Sequence, residues 1–136
     1  MQATDTWQFA DRLYTSLSGG ERQRVQLARV LLQLSQAERA PLLLLDEPTS
    51  AQDLGQQHQL LNLVKSLCQE NGFAVISILH DVNQASRYAD KVWLLKQGEL
   101  VAQGSPLQVL QPETVMKIWG YQPELFFNSQ GQQILV

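Results

Sequence analysis

Cysteine occurs once in the 136 residues, at Cys68, so the chain has neither an internal disulfide nor a pair of thiolates for a metal. That usage fits a reducing, cytosolic compartment. No apolar run approaches the ~20 residues that span a bilayer, and an obvious one, Leu42 to Leu45, is strand-sized. The stretch from Met1 to Ala10 has no basic region followed by a continuous apolar one, so no secretory signal is expected. Charge of one sign is also scarce. Ten Lys and Arg against 13 Asp and Glu give a net charge of -3, with no block of like charge to grip nucleic acid or an anionic membrane. What is present, 44% apolar and 17% charged residues, is the composition of one ordinary globular domain. Glutamine is abundant at 20 residues and scattered, which reads as solvated surface.

The periodicity predicts an α/β chain. Residues 1–15 show no clear period. From Gly20 to Leu34 the pattern is that of an amphipathic helix with Val25, Ala28, Leu31 and Leu32 on its apolar face. Ser18 is its expected N-cap, and Glu21, three residues on, completes a capping box. Gly19 and Gly20 leave amides uncovered at the helix start, where anions are attracted. Leu42 to Leu45 reads as a strand buried on both faces, ending at Asp46-Glu47-Pro48. Asp53 caps a helix carrying Leu54, Leu60, Leu61, Val64 and Leu67, which stops at Asn71-Gly72. A second strand, Phe73 to Leu79, ends at His80-Asp81, and a short helix follows over Val82 to Tyr88. Lys91 to Lys96 and Glu99 to Gln103 form a hairpin about Gln97-Gly98. Short helices at Leu107 to Leu110 and Pro112 to Trp119 and a final strand pair, Glu124 to Phe127 and Gln132 to Val136, complete the chain. In such sheets ligands sit beyond the C-terminal ends of the strands, where Glu47 and His80 fall.

Taken singly, these features have plain explanations. Ser18 to Glu21 is a capped helix start, Asp46-Glu47 a solvated turn, and His80 a hydrogen-bonded structural histidine. Their order changes the reading. Leu17-Ser-Gly-Gly-Glu-Arg-Gln-Arg24, then Leu42-Leu-Leu-Leu-Asp-Glu-Pro-Thr-Ser50, then Ile78-Leu-His-Asp81 resemble the signature motif, the Walker B motif with its D-loop, and the switch histidine of ATP-binding-cassette (ABC) ATPases. The resemblance runs over residues 15–110.

The resemblance implies ATP and Mg²⁺ as ligands and a dimer as the working unit. Ser18, Gly19 and Gly20 would cap the γ-phosphate of a nucleotide held by the opposite subunit. Asp46 would hold Mg²⁺ through water, Glu47 would polarise the attacking water, His80 would contact the γ-phosphate, and Asp53 would communicate across the dimer. The expected architecture is the C-terminal part of a P-loop-type ABC ATPase domain. A signature helix over 15–35 ends the helical subdomain, a catalytic core covers 41–104, and helices and a hairpin fill 105–136. Further likeness, in Ala37 to Ala51, Leu79 to Ala85, Tyr88-Ala-Asp90 and Leu100 to Pro106, is to the importer ATPases for haem, with cobalamin and ferric-siderophore importers as relatives. Expected partners are a second ATPase subunit, a transmembrane permease and, indirectly, a periplasmic substrate-binding protein, but no nucleic acid. The expected place is peripheral, on the cytoplasmic side of a bacterial inner membrane.

Two departures from the family pattern stand out. The D-loop reads Ser50-Ala51-Gln52-Asp53, with a polar Gln52 where the family commonly has Leu, and no G-x-x-x-x-G-K-[ST] phosphate loop or following Q-loop occurs. Without the phosphate loop the chain alone is expected to be inactive and marginally stable, with strand edges exposed. A rival reading is a non-catalytic truncated cassette that acts as a remnant or partner. A DNA-repair or translation ATPase would call for coiled-coil insertions or a tandem cassette, and the sequence shows neither.

Overall fold

The computed structural model describes residues 4–50 and 52–136. Although the length suits one domain, the contacts divide into two compact units, Met1–Ile78 and Leu79–Val136, each with its own apolar cluster.

In the first unit, the stretch without a period forms two single 3-10 turns, Trp7–Phe9 and Tyr14–Ser16. Arginines of the following helix hold it. The Arg24 guanidinium lies 5.5 Å from the ring centre of the buried Phe9, and Arg22 donates to the Leu17 and Thr15 carbonyls at 2.9 and 3.0 Å. Helix α1 spans Gly19–Ser35, strand β1 Leu42–Asp46, helix α2 Leu54–Asn71 and strand β2 Ala74–Ile78. Left-handed Gly72, at φ +67°, ends α2, and its N–H donates to the Cys68 carbonyl. β1 and β2 pair in parallel, Leu42 opposite Ala74 through Asp46 opposite Ile78, with α2 as the crossover.

Three packing expectations need correction. The inward stripe of α1 is Leu27 with Val30, Leu31 and Leu34: of the expected face Val25, Ala28, Leu31 and Leu32, only Leu31 belongs to it, and Leu32 is 66% exposed. Apolar residues run along most of this helix, so period alone leaves the choice of stripe to β1 and α2. β1 is not buried on both faces. Leu43 and Leu45 pack with Leu60, Val64 and Phe73, whereas Leu42, Leu44, Ile76 and Ile78 form an exposed apolar face. The period of two sends alternate residues to opposite faces, and α1 and α2 cover only one of them. Leu54, in the first turn of α2, is exposed, while Leu60, Leu61 and Val64 are buried.

In the second unit, α3 covers Val82–Tyr88, β3 Val92–Lys96, β4 Glu99–Gly104, α4 Pro106–Val109, α5 Pro112–Trp119, β5 Leu125–Phe127 and β6 Gln133–Leu135. The β3–β4 hairpin turns through Gln97 and Gly98, both with positive φ (52° and 84°), the two-residue turn that matches strand twist. Its core gathers Val92, Leu94, Val109, Leu110, Val115, Ile118 and Leu135. Asn83 ties α3 to β6 twice: its Nδ2 donates to the Leu135 carbonyl and its Oδ1 accepts from the Leu135 N–H, both at 2.8 Å. Nor are all the glutamines solvated. Gln84 and Gln133 are buried, and Gln133 Nε2 donates to the Leu110 carbonyl. Among the described residues no helix is long and apolar enough to cross a membrane.

Candidate functional site

The start of α1 is built by local chemistry. Ser18 is extended (φ -65°, ψ 165°), its Oγ accepts from the Glu21 N–H at 3.3 Å, and its own N–H donates to Glu21 Oε2 at 2.7 Å. This is the expected capping box. Donation from the Ser18 backbone N–H, then the Ser18 side-chain bond, holds the Glu21 carboxyl below the ordinary glutamate value. Ser18 and Gly19 are exposed, so the helix start, with its partial positive charge, faces outward.

The end of β1 carries the carboxylates. Asp46 is the last strand residue and exposed; Glu47, half-buried, turns the chain with φ +44°, a left-handed conformation uncommon outside glycine. Pro48 is buried, and the Ser50 N–H and Oγ both donate to the Glu47 carbonyl, at 3.2 and 3.0 Å. Asp53 then caps α2, its Oδ1 accepting from the Gln56 N–H at 2.9 Å. Ala51 of the D-loop sequence lies outside the described residues. Asp46 opens on a cleft of about 290 Å³, lined also by Arg22, Gln23 and Gln26 of α1 and by Leu44 and Pro48.

The first unit therefore holds Ser18, Gly19 and Gly20 at one helix start and Asp46, Glu47 and Asp53 along one segment after a parallel strand. His80 belongs to the second unit, exposed, immediately before Asp81. Asp81 caps α3, its Oδ1 accepting from the Asn83 and Gln84 N–H groups at 2.7 and 3.3 Å. Among the described residues no group of three or more His, Cys, Asp and Glu is placed to hold a metal. A lone exposed carboxylate such as Asp46 suits Mg²⁺, which keeps several waters and takes its other ligands from substrate phosphates. Sequence reasoning missed Gln23 and Gln57, whose side chains grip the segment after β1. Gln23 stands inside the signature motif without an assigned role and Gln57 outside any motif, and the partners that reveal both come from folding.

Known proteins resemble this chain closely. The ABC transporter family model matches residues 1–50. The Hemin import ATP-binding protein HmuV of Shewanella denitrificans is 54% identical over 127 residues, covering 93% of this chain and 50% of that protein. The Vibrio cholerae protein of the same name is 49% identical over 122 residues, covering 90% and 47%. The chain thus spans about half the length of the curated relatives it matches. Among solved structures, an inward-facing conformation described as a metal-chelate type ABC transporter aligns with all of this chain and 55% of its own, at 30% identity and a TM-score of 0.81. An ATP-binding cassette in a dimeric post-hydrolysis state with ADP and Pi aligns with 77% of this chain and 44% of its own, at 31% identity and a TM-score of 0.63.

Proposed function

The chain belongs to the ABC transporter ATPase family, and on that premise we propose that it is part of the ATP-hydrolysing subunit of a bacterial haem importer, energising transport through ATP-driven dimerisation. The observation that carries the chemistry is the end of β1, where a parallel strand delivers Asp46 to a cleft and Glu47 to a fixed turn. Support for haem as cargo comes from the likeness to hemin import proteins over most of the chain. No residue described here selects a cargo. In the same reading residues 15–35 supply the signature helix, 41–104 the later catalytic core and 105–136 the C-terminal helices and hairpin. The protein works at the cytoplasmic face of the inner membrane with a second ATPase subunit, a permease and, indirectly, a substrate-binding protein.

Phosphoryl transfer asks the protein mainly for positioning and charge stabilisation. Ser18, Gly19 and Gly20 offer the positive end of α1 to the γ-phosphate of a nucleotide held by the partner subunit. The Ser18 N–H already serves Glu21, which leaves the Ser18 hydroxyl and the glycine amides for that task. Asp46 would hold Mg²⁺ through water, and the ion, when bound, neutralises charge on the phosphate oxygens. Glu47 accepts hydrogen bonding from the attacking water and aligns it. His80 donates toward the γ-phosphate, and Asp53 links the two subunits while capping α2.

The test is hydrolysis by the assembled ATPase that contains these residues. Glu47→Gln should leave ATP binding intact, abolish turnover and accumulate the ATP-bound dimer; normal turnover in that variant contradicts the role given to Glu47. A second cargo reading, cobalamin or a ferric siderophore, is favoured by the likeness to the metal-chelate type structure.

A further inference from the structure

We propose that Gln52 is a positioning residue that clasps the segment after β1 to α1, so that Glu47 to Ser50, Gln52 and Asp53 are held against the helix that starts at Ser18 to Gly20. Gln52 Nε2 donates to Gln23 Oε1 at 3.1 Å, in a half-buried contact between parts of the chain 29 residues apart. The grip is doubled from the other side. Gln57 Nε2, on α2, donates to the Gln52 carbonyl at 2.9 Å and to the Thr49 carbonyl at 3.1 Å.

Among its described residues the segment joins no strand ladder, so side-chain contacts such as these take part in holding it. Its internal bonds are short-range, Ser50 N–H to the Glu47 carbonyl at 3.2 Å and Gln52 N–H to the Thr49 carbonyl at 3.3 Å. These bonds set local shape, whereas the Gln52–Gln23 bond reaches α1. Gln52 and Arg24 also line a cavity of about 100 Å³ with Leu27 and Leu60, partly screened from water, where breaking a hydrogen bond costs more than on an open surface. A leucine at this place would have no atom to direct at Gln23. Gln23 lies on the first turns of α1, so its bond with Gln52 couples the two segments. The consequence for ATP turnover rests on the function proposed above; the clasp itself does not.

Amide hydrogen exchange on the 136-residue chain, read without nucleotide, separates the two, because a failed clasp and a failed ATPase assignment then show in different experiments. Gln52→Leu and Gln23→Leu should each speed exchange of the Gln52, Gln56 and Gln57 amides about five-fold, the effect of losing one ordinary hydrogen bond. The double variant should be no faster than either single one. Gln23→Glu keeps an acceptor and should retain the original exchange, and Gln52→Asn, too short to reach, should behave as Gln52→Leu does. The β1 amides from Leu43 to Leu45 should stay unchanged. Unchanged exchange in the segment, multiplicative effects in the double variant, or a uniform rise that includes β1 would each overturn the proposal.

Discussion

Leu43 and Leu44 are consecutive residues of β1 with opposite environments, and truncating each to alanine measures how one-sided the parallel pair is. Leu43 is 2% exposed and packs with Leu27, Leu60, Val64 and Phe73; Leu44 is 67% exposed. Truncating a buried leucine loses its transfer energy and leaves a cavity, so Leu43→Ala should cost about 3 kcal/mol. Leu44 has surrendered only about a third of its surface, which scales a transfer energy of about 1.5–3 kcal/mol down to about 0.5–1 kcal/mol, with no closed cavity to add. Against a whole-domain stability of about 5–15 kcal/mol, the first loss is severe and the second small. Urea unfolding followed by circular dichroism at 222 nm reads both. The expected result is a large drop in midpoint for Leu43→Ala and a small one for Leu44→Ala, with unchanged slopes. Equal losses would mean that the outer face of β1 is covered after all, or that the register is shifted by one residue, and either would refute the packing described here.

Other predictions follow from single contacts. Glu21 is held below its unfolded value by Ser18, so its contribution is present above the unfolded carboxyl pKa of about 4.3 and is lost as pH falls through the lower folded value. Helical circular dichroism between pH 7 and 2 should show an acid loss that Glu21→Gln removes, and identical curves would contradict this. Asp53→Ala deletes the cap on Gln56 and should cost about 1 kcal/mol in urea unfolding, whereas Asp53→Asn, which can still accept, should cost less. Gly98→Ala places a side chain at φ +84° where no neighbour lies within 4 Å, so its cost of about 1–2 kcal/mol is purely conformational and should leave the hairpin's strand register unchanged by NMR.

Local chemistry was the most legible part of the chain. Ser18 with Glu21, Asp53 before α2, Gly72 after it and Gln97-Gly98 in the hairpin each act within a few residues, and the structure contains the cap or turn they imply. The facing of α1 was not legible, because Leu27, Val30 and Leu34 compete with Val25, Ala28 and Leu32 on a helix apolar over much of its circumference. Only the packing of β1 and α2 decides between them. Contacts such as Asn83 with Leu135, 52 residues apart, leave no local pattern. For the candidate site, the roles proposed for the residues rest on the order of three motifs. The glutamine contacts that steady the segment after β1 depend on where α1 and α2 come to lie, so motif membership of Gln23 and Gln52 does not announce their pairing.

ATP hydrolysis in proteoliposomes holding the assembled importer that contains these residues, measured with and without a haem-loaded substrate-binding protein, decides whether this chain serves a haem importer. The expected result is Mg²⁺-dependent hydrolysis stimulated by haem, not by cobalamin or ferric siderophore, and lost in Glu47→Gln. Hydrolysis indifferent to haem, or undiminished by that substitution, would contradict it.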